Sequence, residues 1–336
     1  MGAMVKLSVL DLVPVVEGGT VTQALANAAD LAAHAEALDY HRYWTAEHHG
    51  MPGIASAATS VVLAHIGAAT KTIRIGAGGI MLPNHAPLAI AEQFGTLDAL
   101  FPGRVDLGLG RAPGTDQHIV RALRRMLAGG AENFPQDVLE LQAYLAGDPR
   151  PGFEAVPGAG SHVPLWILGS SLFGAQLAAH LGLPYAFASH FAPDALDEAI
   201  HIYRRDFKPS AQLHEPLVMA GYNVFAADTQ EEAQLIASSM MQSFVALRSG
   251  QPARIKPPVP GYYDTLPPQF RSMLDHMMQT WSIGTKEDIA RDLSAFVRRT
   301  RVDEIILGGM IYDPAARRHS LSLAMEAARQ ADILTA

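Results

Sequence analysis

Short β-rich runs alternate with longer helical segments along almost the whole chain, and this alternation limits the possible folds more than any other feature. The strand-like runs are Leu7–Leu12, His41–Thr45, Ile73–Ile80, Arg104–Leu109, Pro164–Leu168, Pro184–Ser189, Leu217–Val224 and Glu304–Leu307. Amphipathic segments separate them, at Thr20–Leu38, Pro87–Leu100, Asp194–Phe207, Glu231–Leu247 and Glu287–Arg298. Three helix starts carry the capping-box pattern, Thr20 with Gln23, Thr229 with Glu232, and Thr285 with Asp288. About eight strand–helix units predict an α/β TIM (β/α)8 barrel, since a doubly wound sheet usually contains fewer.

The composition excludes several classes of protein. A chain with 49% hydrophobic and 17% charged residues is too apolar to be disordered. Its net charge is −8, and no stretch concentrates the Lys and Arg that nucleic-acid binding requires. No apolar run reaches membrane-spanning length and the first residues lack signal-peptide organisation, so we expect a cytoplasmic protein that binds no membrane. The absence of cysteine excludes disulfides, thiolate metal sites and a cysteine nucleophile.

One segment interrupts the regular alternation of strands and helices. Gly250–Pro268 reads GQPARIKPPVPGYYDTLPP, with more prolines than a helix or strand interior accepts. The sequence predicts an inserted Pro-rich loop here, which is either a lid over the site or a surface excursion. We find no linker, so we expect one domain over residues 1–336, in which residues 1–3 resemble a cloning remnant ahead of Met4.

The segment Ser56–Thr70, SAATSVVLAHIGAAT, is small or apolar nearly all round. Such a helix is typically buried on both sides. The barrel covers one side, and a second subunit is the natural cover for the other. The sequence therefore predicts a homodimer.

The first motif that could carry chemistry follows the second strand, where Glu47 precedes His48 and His49. The carboxyl ends of barrel strands form the active face, and a carboxylate beside imidazoles offers proton transfer near neutral pH. Adjacent histidines in an extended segment point to opposite sides, so we expect no metal site. The alternative is that one histidine packs inward and the other is solvated.

Three further motifs follow the third, fourth and fifth strands. Gly78 and Gly79 could admit a flat ring, or could fit a crowded layer of the barrel. Arg111 lies in GLGRAPGTD (108–116) and could bind an anionic oxygen pair or form an ordinary ion pair. Gly169, Ser170 and Ser171 join a buried strand directly to a helix, which is typical of an anion site and also of plain N-capping.

Taken in order, these motifs resemble those of the luciferase-like flavin-dependent monooxygenases, the bacterial luciferase superfamily. The resemblance covers nearly the whole chain through LSVLD (7–11), AEHHG (46–50), LPNHAP (82–87), AEQFGTLDALFPGRVDLGLGRAPGTD (91–116), LGSS (168–171) and LGLPYAFASHF (181–191). It implies a TIM barrel that uses reduced FMN and O2 through a C4a-peroxyflavin. The implied substrate is a small organic compound, with carbonyl compounds among the candidates. The sequence contains no NADH fingerprint and leaves the source of reduced flavin open, with a separate flavin reductase as a candidate partner.

The resemblance also assigns roles to individual residues, as follows. It implies His48 as the catalytic residue, with Glu47 on the flavin side. The remaining cofactor-binding residues are Gly78 and Gly79 beneath the isoalloxazine ring, Arg111 beside the flavin, and Gly169, Ser170 and Ser171 at the phosphate. Two departures limit the transfer. Gly110 replaces a reactive cysteine of bacterial luciferase, so luminescence is not implied, and Gly174 replaces a phosphate-binding hydroxyl.

Two alternative functions remain open at this point. Relatives in the superfamily transfer hydride with the deazaflavin F420, whose acidic tail needs a basic rim. The relevant loops contain few cations apart from Arg111, Arg121, Arg124 and Arg125, so F420 fits less well than FMN. A flavin-binding protein without turnover is the other alternative, and the presence of Glu47 and His48 argues against it.

Overall fold

A computed structural model describes residues 4–112, 122–123, 131–148 and 153–335. The strands in this part of the chain are β1 Lys6–Asp11, β2 Arg42–Thr45, β3 Arg74–Met81, β4 Val105–Gly110, β5 Leu165–Gly169, β6 Tyr185–Phe187, β7 Val218–Ala226, β8 Trp281–Gly284 and β9 Glu304–Gly308. The helices are α1 Val21–Ala37, α2 Thr59–Ala69, α3 Pro87–Leu100, α4 Phe134–Ala146, α5 Leu172–Leu181, α6 Leu196–Asp206, α7 Gln230–Arg248, α8 Pro268–Met277, α9 Lys286–Thr300 and α10 Pro314–Gln330.

Eight parallel strands close into a barrel in the order β1-β2-β3-β4-β5-β6-β7-β9, with β9 pairing back to β1. Each predicted strand overlaps one of these eight, so the TIM-barrel prediction is confirmed. The short strand β8 was not predicted. It pairs with Asn223–Ala226 at the end of β7 and lies outside the ring. The register of the β3–β4 pair shifts between Gly78 and Ile80.

The interior of the barrel is filled below its carboxyl end. At the amino end, buried Arg42 pairs with Glu304 and with Asp106, each at 2.7 Å. Above them lies a hydrophobic cluster drawn from β1, β2, β5, β6, β7 and β9 and the residue after β2, namely Leu10, Trp44, Ala46, Trp166, Ala186, Met219 and Ile306. Only the carboxyl end of the barrel is therefore available for a site, as the fold class requires.

The helix starts and the apolar helix depart from expectation in detail. Capping boxes form at Thr20 and Thr285, whereas Thr229 accepts from the Glu232 amide without the reciprocal bond. Helix α2 begins at Thr59 rather than at Ser56, because Ser56 is buried and donates to the Ala46 carbonyl at 2.5 Å.

One side of α2 packs on the barrel through Val62, Leu63 and Ile66, which are buried. Its other side is open in the single chain, where Val61 is 69% exposed. Within the single chain the barrel covers one side of α2, as expected. The second copy that would cover Val61 stays a prediction.

The Pro-rich segment lies against loops at the carboxyl end of the barrel. The Ile255 amide donates to Val15 at 3.0 Å, and Ile255 accepts from the Glu17 amide at 2.7 Å, so the segment is tied to the loop after β1. The Val259 amide donates to Ser238 on α7 at 2.8 Å. The predicted loop is therefore present at the face where a lid would act. Within the described residues, no helix is both long and apolar enough to cross a membrane.

Candidate functional site

Glu47 is the centre of a buried hydrogen-bond network just after β2. Its side chain is 1% exposed. The Met81 amide donates to Oε2 at 2.9 Å, and Asn84 donates to Oε1 at 3.1 Å. His49 Nε2 lies 2.7 Å from Oε1, and His85 Nε2 lies 2.9 Å from Oε2. The network therefore joins the loop after β2 to the loop after β3.

These contacts decide the charge of the carboxyl group. Burial alone would raise the pKa of Glu47, but the hydrogen bond and charge of His85, with the bonds from His49 and the Met81 amide, hold it below its ordinary value. Because an ionised carboxylate can only accept hydrogen bonds, His49 and His85 must each carry a proton on Nε2. Glu47 thus fixes the tautomer and orientation of two imidazoles.

The network gives His49 a partner and adds one residue. We expected His49 on the face opposite His48, where it would serve mainly in packing. Residues two apart in an extended segment share a face, so His49 lies on the side of Glu47 and bonds to its carboxylate. His85 was missed as a site residue, although it lies in the LPNHAP motif. The signal that could have found it is that His85 follows β3 and Glu47 follows β2, and these neighbouring strands end at the same rim.

The glycine pair of β3 lies beside the network. The Glu47 amide donates to the Gly79 carbonyl at 3.0 Å, and the Gly78–Gly79 peptide bond is cis. A Cβ on Gly78 would lie 2.9 Å from the Trp44 ring, and a Cβ on Gly79 would lie 2.6 Å from the Gly108 carbonyl oxygen. Packing within the barrel is therefore sufficient to require glycine at both positions. The predicted contact with a flat ring concerns the face turned toward the mouth and stays a prediction.

Helix α5 begins at the same end of the barrel, directly after β5. Ser171 is its N-cap residue, yet the Ser171 side chain makes no capping hydrogen bond. Ser170 and Ser171 are both exposed. A Cβ on Gly169 would make ordinary contact with the Gly174 Cα at 3.7 Å, so packing does not by itself require glycine here. The plain capping interpretation is therefore wrong, and the hydroxyls are available beside the helix amides.

Arg111 follows β4 and lies next to the start of α5. Its guanidinium carbon is 4.3 Å from the centre of the Phe173 ring. Arg111 is exposed, and it forms no ion pair with any residue that the structure describes. A cation, two hydroxyls and a helix N-terminus therefore share one corner of the barrel mouth, which is the composition of an anion site. Arg121, Arg124 and Arg125 lie outside the described residues.

His48 is half-buried at the barrel mouth. It comes two positions after Ala46, which belongs to the cluster inside the barrel. Burial first, and the charge of His48 second, lower the pKa of His190 to about 4. His48 therefore lies near His190, which follows β6 and was not singled out from the sequence. Among the described residues, no cluster of three or more His, Asp or Glu could hold a metal ion.

This chain is similar to known proteins over most of its length. A family model described as luciferase-like monooxygenase matches residues 5–304. An Escherichia coli K12 protein named luciferase-like monooxygenase is 50% identical over 323 residues, covering 96% of both chains. The N-acetyl-S-alkylcysteine monooxygenase of Bacillus subtilis 168 is 31% identical, covering 96% of this chain and 98% of that protein. The crystal structure of apo-MsnO8 is 32% identical with a TM-score of 0.86, covering 97% and 98%.

Proposed function

The chain belongs to the luciferase-like monooxygenase family, and we propose that it uses reduced FMN and O2 to oxidise a small organic compound. This proposal is carried by the grouping of Arg111, Ser170 and Ser171 at the start of α5, a composition that suits an anion. It lies on the same rim of the barrel as Glu47 and His48. Reduced flavin, when bound, supplies the electrons that activate O2.

The residues at the start of α5 fit the phosphate of FMN. Ser171 can donate its hydroxyl because that group makes no cap bond. Arg111 adds a positive charge held in place by the Phe173 ring. In this arrangement the isoalloxazine ring lies toward Gly78 and Gly79 on β3.

The protein's own contribution to the chemistry is proton control in a dry site. His48 gives or takes the proton at the barrel mouth. Glu47 is a positioning residue, since its carboxylate holds the two loops that flank His48. The segment 250–268 serves as the lid that excludes water, since Ile255 and Val259 tie it to the rim of the barrel.

The first substrates to test are carbonyl compounds and alkyl sulfides. Alkyl sulfides are included because the Bacillus subtilis relative is named for an N-acetyl-S-alkylcysteine. A separate flavin reductase supplies the reduced cofactor, and the working form is a homodimer that joins through α2.

The experiment is an anaerobic titration with FMNH2 and, in parallel, with reduced F420, followed by addition of O2 and a panel of carbonyls and alkyl sulfides. We expect FMNH2 to bind and to support product formation. Ser171→Ala should weaken FMN binding by about 1 kcal/mol, the scale of one hydrogen bond. Ser249→Ala, at the far end of α7, is the matched control. Binding of F420 in preference to FMN would refute the proposal, and so would FMN binding without any product from the panel.

A further inference from the structure

Asn223 carries an unpaired oxygen inside the barrel mouth. It lies four positions after Met219 on β7, so both side chains point into the barrel. Asn223 is 1% exposed. Its Nδ2 donates to the His190 carbonyl at 2.7 Å, and its buried Oδ1 has no hydrogen-bond partner among the described residues. Because Nδ2 is committed to that carbonyl, Oδ1 is left as an acceptor without a donor, beside Gly308 at the carboxyl end of β9.

His190 places a second unpaired atom beside it. The His190 carbonyl accepts from Asn223 and also from Trp281 Nε1 at 3.0 Å, so its backbone is held from two sides. The buried Nδ1 has no partner in the described part of the chain. The low pKa of His190, about 4, keeps the ring neutral at physiological pH. This side of the mouth is therefore polar but uncharged.

Two glycines leave room for these groups. A Cβ on Gly221 of β7 would overlap His190 Nδ1, and a Cβ on Gly308 of β9 would lie 2.6 Å from Asn223 Oδ1. Gly221 comes two positions after Met219, and Gly308 comes two positions after Ile306. Met219 and Ile306 both face into the barrel, so the glycines lie on the inward face as well. A buried polar atom without a partner costs roughly 1–3 kcal/mol, so native proteins keep one chiefly where a ligand or water satisfies it.

The strand order indicates which ligand this is. The anion site lies at β5 and the glycine pair lies on β3, so the proposed flavin covers the β3–β5 side of the mouth. His190 and Asn223 follow or belong to β6 and β7, and Gly308 belongs to β9, on the remaining side. That side is left for the organic substrate.

We propose that Asn223 and His190 bind a neutral secondary amide of the substrate. The amide N–H donates to Asn223 Oδ1, and the His190 tautomer with a proton on Nδ1 donates to the amide carbonyl. The pair thereby determines specificity and takes no part in oxygen chemistry. This inference rests on the proposed function, because the flavin must occupy the other side of the mouth.

The test measures binding to protein loaded with oxidised FMN, by calorimetry and without turnover. The probes are N-acetyl-S-benzyl-L-cysteine and its N-methyl analogue, which lacks the amide N–H. Wild type should bind the first about tenfold more tightly, the effect of about 1.4 kcal/mol for one unpaired acceptor. Asn223→Leu should reduce that ratio to about one while FMN affinity stays unchanged. Gln234→Leu, which removes an exposed amide from α7, is the matched control and should keep the ratio.

A second variant covers the case in which Asn223→Leu does not fold. His190→Phe should weaken both probes by about the same tenfold factor and keep their ratio, because it removes the contact with the carbonyl. Equal affinity of wild type for the two probes, or binding of neither, overturns the proposal. A loss of FMN affinity in Asn223→Leu with an unchanged ratio would also overturn it, by assigning the pair to the flavin. Failure of wild type to bind FMN would instead count against the proposed function.

Discussion

Glu47→Gln is the sharpest test of the network at the barrel mouth. Glutamine has one oxygen where glutamate has two. If that oxygen takes the Oε1 position and keeps the bonds from His49 and Asn84, the NH2 group of glutamine replaces Oε2 and points toward Met81. The Met81 amide, which now donates to Oε2 at 2.9 Å, would then face another donor. One buried unpaired amide costs about 1–3 kcal/mol, and the bonds from both histidines lose the strength that the charge confers. We expect a loss of about 3–5 kcal/mol in the free energy of unfolding.

The local assay is hydrogen–deuterium exchange of peptides that contain the Met81 amide, together with urea unfolding at pH 7.5. Exchange should accelerate by more than about a hundredfold, since an opening that is 3 kcal/mol easier has that effect. The control is Glu92→Gln, which removes the same charge from an exposed position of α3. Exchange as slow as in wild type, with stability within about 1 kcal/mol, would show that the carboxylate does not hold the two loops.

Three other predictions follow. His48→Ala should keep FMN binding but reduce product formation by roughly 10²–10⁴-fold, whereas His49→Ala should lower stability more than product formation. Flavin titration and product analysis measure these effects. Lost product formation in His49→Ala with normal product formation in His48→Ala would contradict the assignment. Burial, and then the charge of His48, lower the pKa of His190 to about 4 from the ordinary 6.5. Between these two pH values His190 is protonated in the unfolded chain and neutral in the folded chain. His190 should therefore contribute a loss of about 3 kcal/mol in stability as the pH drops from 6.5 to 4. His190→Gln should remove that share of the slope in urea unfolding, and the share of His41, whose pKa burial also lowers to about 4, should remain. Val61→Glu should convert the proposed homodimer to a monomer in light scattering, because it charges the 69% exposed apolar position of α2. A wild type that is already monomeric would refute the proposed dimer.

Much of the fold could be predicted because it depends on local patterns. A strand buried on both faces reads as a continuous apolar run, and a helix as an amphipathic one, so the eight strands of the barrel were visible without any tertiary contact. Strand β8 was not, because it pairs with the end of β7 from outside the ring and adds no strand–helix unit to the barrel. The Gly-Ser-Ser junction before α5 was also visible, since a strand, a turn and a helix start are consecutive in the chain.

The sequence by itself determined which residues stand at the carboxyl ends of the strands, and hence that Glu47, His48, Arg111 and Ser171 share one rim. Only the tertiary structure decided what those residues contact. Glu47 meets His85 across 38 positions of sequence. Asn223 and His190 keep buried polar atoms without a partner, in the space that glycines on two strands leave for them. The reason is physical: strand periodicity sets the direction of a side chain locally, whereas its partner depends on how distant loops fold over the barrel.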